Sequence, residues 1–225
     1  MLQYFTLNTG IEIVCFLIAM ICLNSDNKAE WKVFIVFLLV TCIIEMAGVH
    51  FKKIYLADQI HNPPNIWLYN ILLLFQICFF SMIFDMLLSK YLNIKIVIFG
   101  MGTLLLVTHN YELYQHGIFA YNELTNTIML VFIVLGSLFY FYSLLKDENY
   151  VELKYAYDFW WVAGILFFYF GSTACNIFFK SLSPEKIKSI KHLTYYIYNA
   201  FNIILYGCWS YSFICRKWLT SQGLS

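Results

Sequence analysis

The chain has 225 residues, of which 61% are hydrophobic and 12% charged, where a soluble domain carries about 25% charged residues. That surface cannot all face water, and a net charge of +1 gives no overall field to attract phosphate. A soluble globular enzyme, a disordered chain and a nucleic-acid binder are excluded; an integral membrane protein with a mean hydropathy of +0.69 remains.

A helix crosses a hydrocarbon core of ~30 Å with roughly 20 apolar residues. Such stretches run in chain order from Tyr4 to Leu23, Val33 to Phe51, Ile66 to Leu88, Tyr91 to His109, Glu123 to Leu145, Ala156 to Phe179 and Leu193 to Cys215. In the fourth, Lys95 must reach back toward the interface. Continuously apolar runs lack the period-two alternation of a membrane barrel. The expected fold is therefore all-α, a seven-transmembrane-helix bundle forming one domain over residues 1–225. The first stretch has no basic leader or small-residue cleavage site before it, so it is expected to be retained as a span.

The connections are short, and none is expected to hold a catalytic domain. Asn62-Pro63-Pro64-Asn65 stops an extended segment and offers Asn65 as the cap of the third span. Ser183-Pro184-Glu185 opens a helix whose Ile187, Ile190 and Leu193 alternate with Lys186, Lys188 and Lys191, the pattern of a basic amphipathic helix on the membrane surface. Lys52, Lys53, Lys180, Lys186, Lys188 and Lys191 fall on the side of the N-terminus. Lys28, Lys32, Lys90, Lys95, Lys146, Lys154, Arg216 and Lys217 fall on the other, which favours an external N-terminus and a cytoplasmic C-terminus. The seven cysteines lie within spans or at their edges without a CxxC pair, and read as small hydrophobes.

Trp67-Leu68-Tyr69-Asn70 opens the third span and Tyr196-Ile197-Tyr198-Asn199 lies near the start of the seventh. If the match reflects duplication, spans one to three repeat as five to seven, a 3+1+3 parallel repeat. An aromatic interface belt would produce the same pattern. The layout resembles that of rhodopsins, seven-helix receptors and PQ-loop sugar transporters in helix count, and fold does not fix function.

Charges within a span cost about 2.5 to 3.5 kcal/mol on insertion scales. Glu12 and Glu45 fall at similar depths, about 12 and 9 Å from the N-terminal face at 1.5 Å per residue. Asn70, Gln76, Asn199 and Asn202 enter from that face, with His50 and Asn176 close to it. The expectation is a partly hydrated pocket open to the N-terminal side and rimmed by Trp67, Tyr69, Tyr195 and Tyr198. Interhelical hydrogen bonding is the competing role for each amide and acid. Asp85 and Asp158 are expected to snorkel, and His50, His61, His109, His116 and His192 to be interfacial or solvated.

No lysine lies in the seventh span to form a retinal Schiff base, and HExxH and GxSG are missing. The histidines lack the spacing of a zinc amidohydrolase, and the second and sixth spans lack a Pro-Gln dipeptide. No catalytic residue, metal ligand or cofactor is therefore expected.

Glu45-Met46-Ala47-Gly48, Trp67-Leu68-Tyr69-Asn70-Ile71, Tyr140-Phe141-Tyr142, Phe159-Trp160, Tyr169-Phe170-Gly171 and Tyr198-Asn199-Ala200-Phe201-Asn202 carry a resemblance to small seven-span inner-membrane proteins of Bacteroidetes-type bacteria. It covers nearly the whole chain, in residues that membrane spans use freely. At Gln76 the chain departs from the pattern the resemblance implies, which has a carboxylate there, and this weakens a proton relay at that position. The resemblance implies a membrane module beside two-component signalling proteins. The expected function is a receptor-like or sensory protein of the bacterial inner membrane. Glu12 and Glu45 would take a cation or hydrogen-bond donor, Asn70, Asn199, Asn202 and Gln76 would orient it, and Tyr69 and Tyr198 would stack on it. Its partners would be the lipid bilayer, a small-molecule ligand and a separate signalling protein. A small proton-coupled transporter using the same acids is the alternative.

Overall fold

The computed structural model describes residues 6–26, 28–91, 93–147, 152–180 and 184–221, with the side chains of residues 176, 179, 180, 184–194, 220 and 221 outside that description. Its helices are α1 (Leu7–Leu23), α2 (Ala29–Ala57), α3 (Ile66–Leu88), α4 (Lys95–His116), α5 (Glu123–Lys146), α6 (Tyr157–Lys180) and α7 (Pro184–Ser221). Helices α2 to α5 are each long and apolar enough to cross a membrane, and α1 is a shorter apolar helix of 17 residues. Among the described residues the fold is thus all-α with seven helices, and four long apolar helices mark an integral membrane protein.

Three elements differ from expectation. Helix α4 lies further along the chain than the stretch from Tyr91 to His109. It continues through polar residues to Gly117, whose positive φ of 75° closes it with an N–H to Leu113 O. Helix α7 opens at Pro184, a residue suited to a first helical position, but runs unbroken for 38 residues, so the predicted surface helix is the first part of a longer one. The lysines of that segment lie outside the described side chains. Asn65 stands at the head of α3 without a side-chain cap bond. Its Nδ2 donates instead to Gly48 O at 3.0 Å, fastening α3 to α2.

The chain forms two compact units, Met1–Thr9 with Val36–Phe132 and Gly10–Ile35 with Ile133–Ser225. Because lipid is as apolar as leucine, shape and dispersion rather than water exclusion must hold such helices together. Flat rings serve that purpose well. In the first unit Phe37 stacks on Phe79 with centroids 3.8 Å apart, and Ile44, Leu68 and Leu72 join α2 to α3. In the second, Phe34 meets Trp161, Trp209 and Phe213 edge-on, and Trp161 stacks on Trp209 at 5.7 Å.

Candidate functional site

In the first unit, a four-residue segment of α2 receives one side chain of α3. Glu45 accepts a hydrogen bond from the Tyr69 hydroxyl. Gly48, one turn on, leaves the space that hydroxyl needs, since a Cβ there would lie 2.7 Å from Tyr69 Oη. Asn70, the next residue, is 1% exposed and faces elsewhere. Its Nδ2 donates to Ile118 O at 2.8 Å and Ala120 O at 2.7 Å, so one amide holds the loop between α4 and α5. Its Oδ1 is buried without a hydrogen-bond partner. Gln76 is half-buried further down α3.

That loop is fastened at its other end as well. Glu112, 7% exposed on α4, accepts from Leu124 N at 2.9 Å, Thr125 N at 2.8 Å and Thr125 Oγ1 at 2.6 Å. The two backbone donors are amides of the first turn of α5, where backbone donors have no helical partner and a negative charge is favoured. Asn122 Nδ2 donates to His109 Nδ1 at 3.1 Å, and both residues are buried. His109 was expected to be interfacial or solvated. It is 3% exposed because α4 continues beyond it and the loop folds back over it.

Beneath the loop lies a cavity of about 460 Å³ bounded by Phe51 and Ile54 of α2, Trp67 of α3, Asn62 and Pro63 of the connection between them, and Ile118 and Phe119. Its size falls within the usual range for small-ligand sites, and one amide among apolar and aromatic walls is a typical lining. It lies where α2 ends and α3 begins. Of the expected rim, Trp67 lines it; the eight expected ligand residues lie outside its lining.

The second unit holds the other half of the expected set. Glu12 is 5% exposed, and its Oε1 accepts from Tyr206 Oη at 2.6 Å, joining α1 to α7. Tyr198 Oη donates to Ser172 O at 3.4 Å, and Asn202 Nδ2 donates back to Tyr198 O at 3.0 Å within α7. Asn199 is 4% exposed and its Oδ1 has no hydrogen-bond partner. Tyr195 is exposed. The expected ligand residues are thus divided between the units: Glu45, Tyr69, Asn70 and Gln76 in the first, Glu12, Tyr198, Asn199 and Asn202 in the second.

Sequence reasoning missed the second unit's ion pair. Arg216, 1% exposed, directs Nε to Asp26 Oδ2 at 2.8 Å and Nη2 to Asp26 Oδ1 at 3.3 Å. Nη1 donates to Tyr157 Oη at 3.1 Å, and the guanidinium lies 5.4 Å from the Trp31 ring. Burial alone would push the Asp26 carboxyl up, but hydrogen bonds from Arg216 and from Lys28 N hold it below the usual carboxylate value. A signal was present: Arg216 is the one arginine in a chain whose other basic residues are lysine. A planar fork with five donors suits a buried, bidentate partner better than an ammonium does. Comparison with protein-family models, with curated proteins and with solved structures gives no match.

Proposed function

We propose that this chain is a receptor-like or sensory protein of the bacterial inner membrane that crosses the bilayer seven times. Its N-terminus lies outside and its C-terminus in the cytoplasm. It takes a small ligand on the N-terminal side and passes the signal to a separate partner protein. The observation that supports this best is the cavity of about 460 Å³ bordered by a loop that one buried amide, Asn70, holds from α3. A ligand resting on Phe119 and Trp67 would bear on the loop that joins α4 to α5, and so on the positions of both helices. A small aromatic molecule carrying an amine suits the walls: the rings offer stacking and cation–π contact, and the Asn62 amide can accept a proton donor.

The alternative, a proton-coupled transporter of the 3+1+3 type, draws on the two carboxyl–tyrosine contacts, Glu12 with Tyr206 and Glu45 with Tyr69. One experiment separates them. Purified protein is heated with a panel of arylalkylamines and quaternary ammonium ions, and the same compounds are offered to proteoliposomes under a pH gradient. A receptor is stabilised by at least one compound, by about 5 °C at a hundredfold excess over Kd. The gain is lost in Trp67→Ala and Phe119→Ala, and nothing accumulates in the vesicles. Accumulation driven by the proton gradient would establish the transporter, and a panel without any stabilising member would remove the pocket.

A further inference from the structure

A second cavity, of about 420 Å³, lies in the first unit between the C-terminal half of α3 and the N-terminal half of α4. The site described above makes no use of it. Its walls are mainly apolar, with Ile77, Ile98, Phe99 and Leu106 among them, and Phe99 is 78% exposed. In a membrane such a face meets lipid. Its polar groups are gathered toward one end. Asp85 stands one turn from the end of α3, and Lys95 is the first residue of α4. Ser81, one turn below Asp85, faces Gly102, where a Cβ would lie only 3.1 Å from Ser81 Oγ. The two helices therefore touch at that level, and the cavity has a floor to its polar end rather than a uniform slot.

Two of these polar atoms are buried without a partner. Asp85 Oδ1 and Ser81 Oγ are both closed off from solvent and make no hydrogen bond among the described residues. A buried acceptor on a carboxylate is costly to leave unmet; the polar end of the cavity is thus walled by a carboxylate that has one unmet oxygen, with an exposed ammonium at its rim. Ile77 lies about 12 Å below Asp85 along α3, which gives the hollow the length for an acyl chain beneath its charged end. Acid inside, base outside and a greasy tail slot describe the complement of a zwitterionic amphiphile whose cation enters first.

We propose that this groove binds a membrane phospholipid whose headgroup carries a primary ammonium next to its phosphate, of the phosphatidylethanolamine kind. The ammonium donates to Asp85 and Ser81, the phosphate meets Lys95, and one acyl chain runs along Ile77 and Leu106. A quaternary headgroup has no N–H to give Asp85 and is too bulky for the closed end. An anionic headgroup without an amine places its charge against the carboxylate. Selectivity for the primary amine is the signature, and it does not depend on the receptor reading.

The test uses delipidated full-length protein in detergent, titrated with phosphatidylethanolamine, phosphatidylcholine and phosphatidylglycerol of identical acyl chains. Native mass spectrometry reads retained lipid. Wild type is expected to hold the ethanolamine lipid about tenfold more tightly than the choline lipid, the size of one charge-assisted hydrogen bond. Asp85→Asn should bring the two level, and Lys95→Gln should weaken all three. A measurement on unaltered protein guards against a variant that does not fold: Cys78 is exposed and lines the groove. The ethanolamine lipid should slow its alkylation by a membrane-soluble maleimide more than the choline lipid does. Equal retention of the three lipids with equal Cys78 protection would overturn the proposal, leaving a groove filled by any acyl chain. So would an Asp85→Asn protein that keeps the preference.

Discussion

The same four-residue pattern, aromatic, aliphatic, tyrosine, asparagine, stands at residues 67–70 in one unit and 196–199 in the other, and the two copies are used differently. Asn70 meets two backbone carbonyls with its amide nitrogen and thereby holds a loop. Asn199 is almost as deeply buried, and its Oδ1, like that of Asn70, has no hydrogen-bond partner among the described residues. Tyr69 reaches a carboxylate, whereas Tyr198 reaches a backbone carbonyl at 3.4 Å. The likeness between the two helices is one of residue type. Among the described residues, Asn70 meets the loop between α4 and α5 through Ile118 O and Ala120 O.

Each unit has a cluster of polar contacts: the Asp26–Arg216 pair in the second, and in the first the loop between α4 and α5, where Oδ1 of Asn70 and of Asn122 have no partner among the described residues. Breaking the ion pair should have the largest effect of any single change. Arg216→Ala leaves the Asp26 carboxylate buried and alone, and should cost about 3 to 5 kcal/mol, read as a fall in the thermal midpoint of detergent-solubilised protein. The pair also predicts a pH response. The Asp26 pKa is lowered in the folded chain, so its stabilising contribution is complete above the ordinary carboxylate pKa of ~3.9 and fades as pH falls through the lower folded value. Asp26→Asn protein should therefore show a shallower loss of stability in that acid window.

Next in size comes the first copy of the pattern. Asn70→Ala removes two hydrogen bonds at about 1 kcal/mol each and should lower stability by about 2 kcal/mol. Glu112→Gln keeps the shape but loses the charge at the start of α5, and should cost about 1 kcal/mol. The second copy should respond weakly or in the opposite sense. Asn199→Leu replaces a buried amide whose oxygen is unmet, so its effect should be near zero or stabilising. A loss from Asn199→Leu as large as that from Asn70→Ala would mean the two copies do equivalent work, which is what a structural repeat requires.

Helix number and the apolar frame were legible because membrane helices must be continuous and greasy, and α3 begins and ends where its hydropathy does. The error at α4 has a physical origin. A hydropathy reading ends a span where polar residues start, but His109 and Glu112 remain helical and buried because Asn122 and the first turn of α5 satisfy them. Those partners lie just beyond the span and cannot be matched by residue type, since two are backbone amides. Asn70 was conspicuous as a polar residue in an apolar run, yet backbone carbonyls leave no mark in a sequence to name them as its partners. Glu12 was singled out and Tyr206 was not, because an aromatic residue in a membrane helix looks ordinary until an acid is found beside its hydroxyl.

The pocket beneath the loop exists only if Asn70 holds residues 118 to 120 in place. Amide hydrogen exchange across residues 117–122, compared between wild type and Asn70→Ala in the same lipid nanodiscs, measures that directly. Exchange in this segment is expected to rise by about tenfold in the variant, equivalent to about 1.4 kcal/mol of lost local protection, while the helical core of α3 is unchanged. Equal exchange in the two proteins would contradict the assignment of Asn70 as the residue that shapes the site.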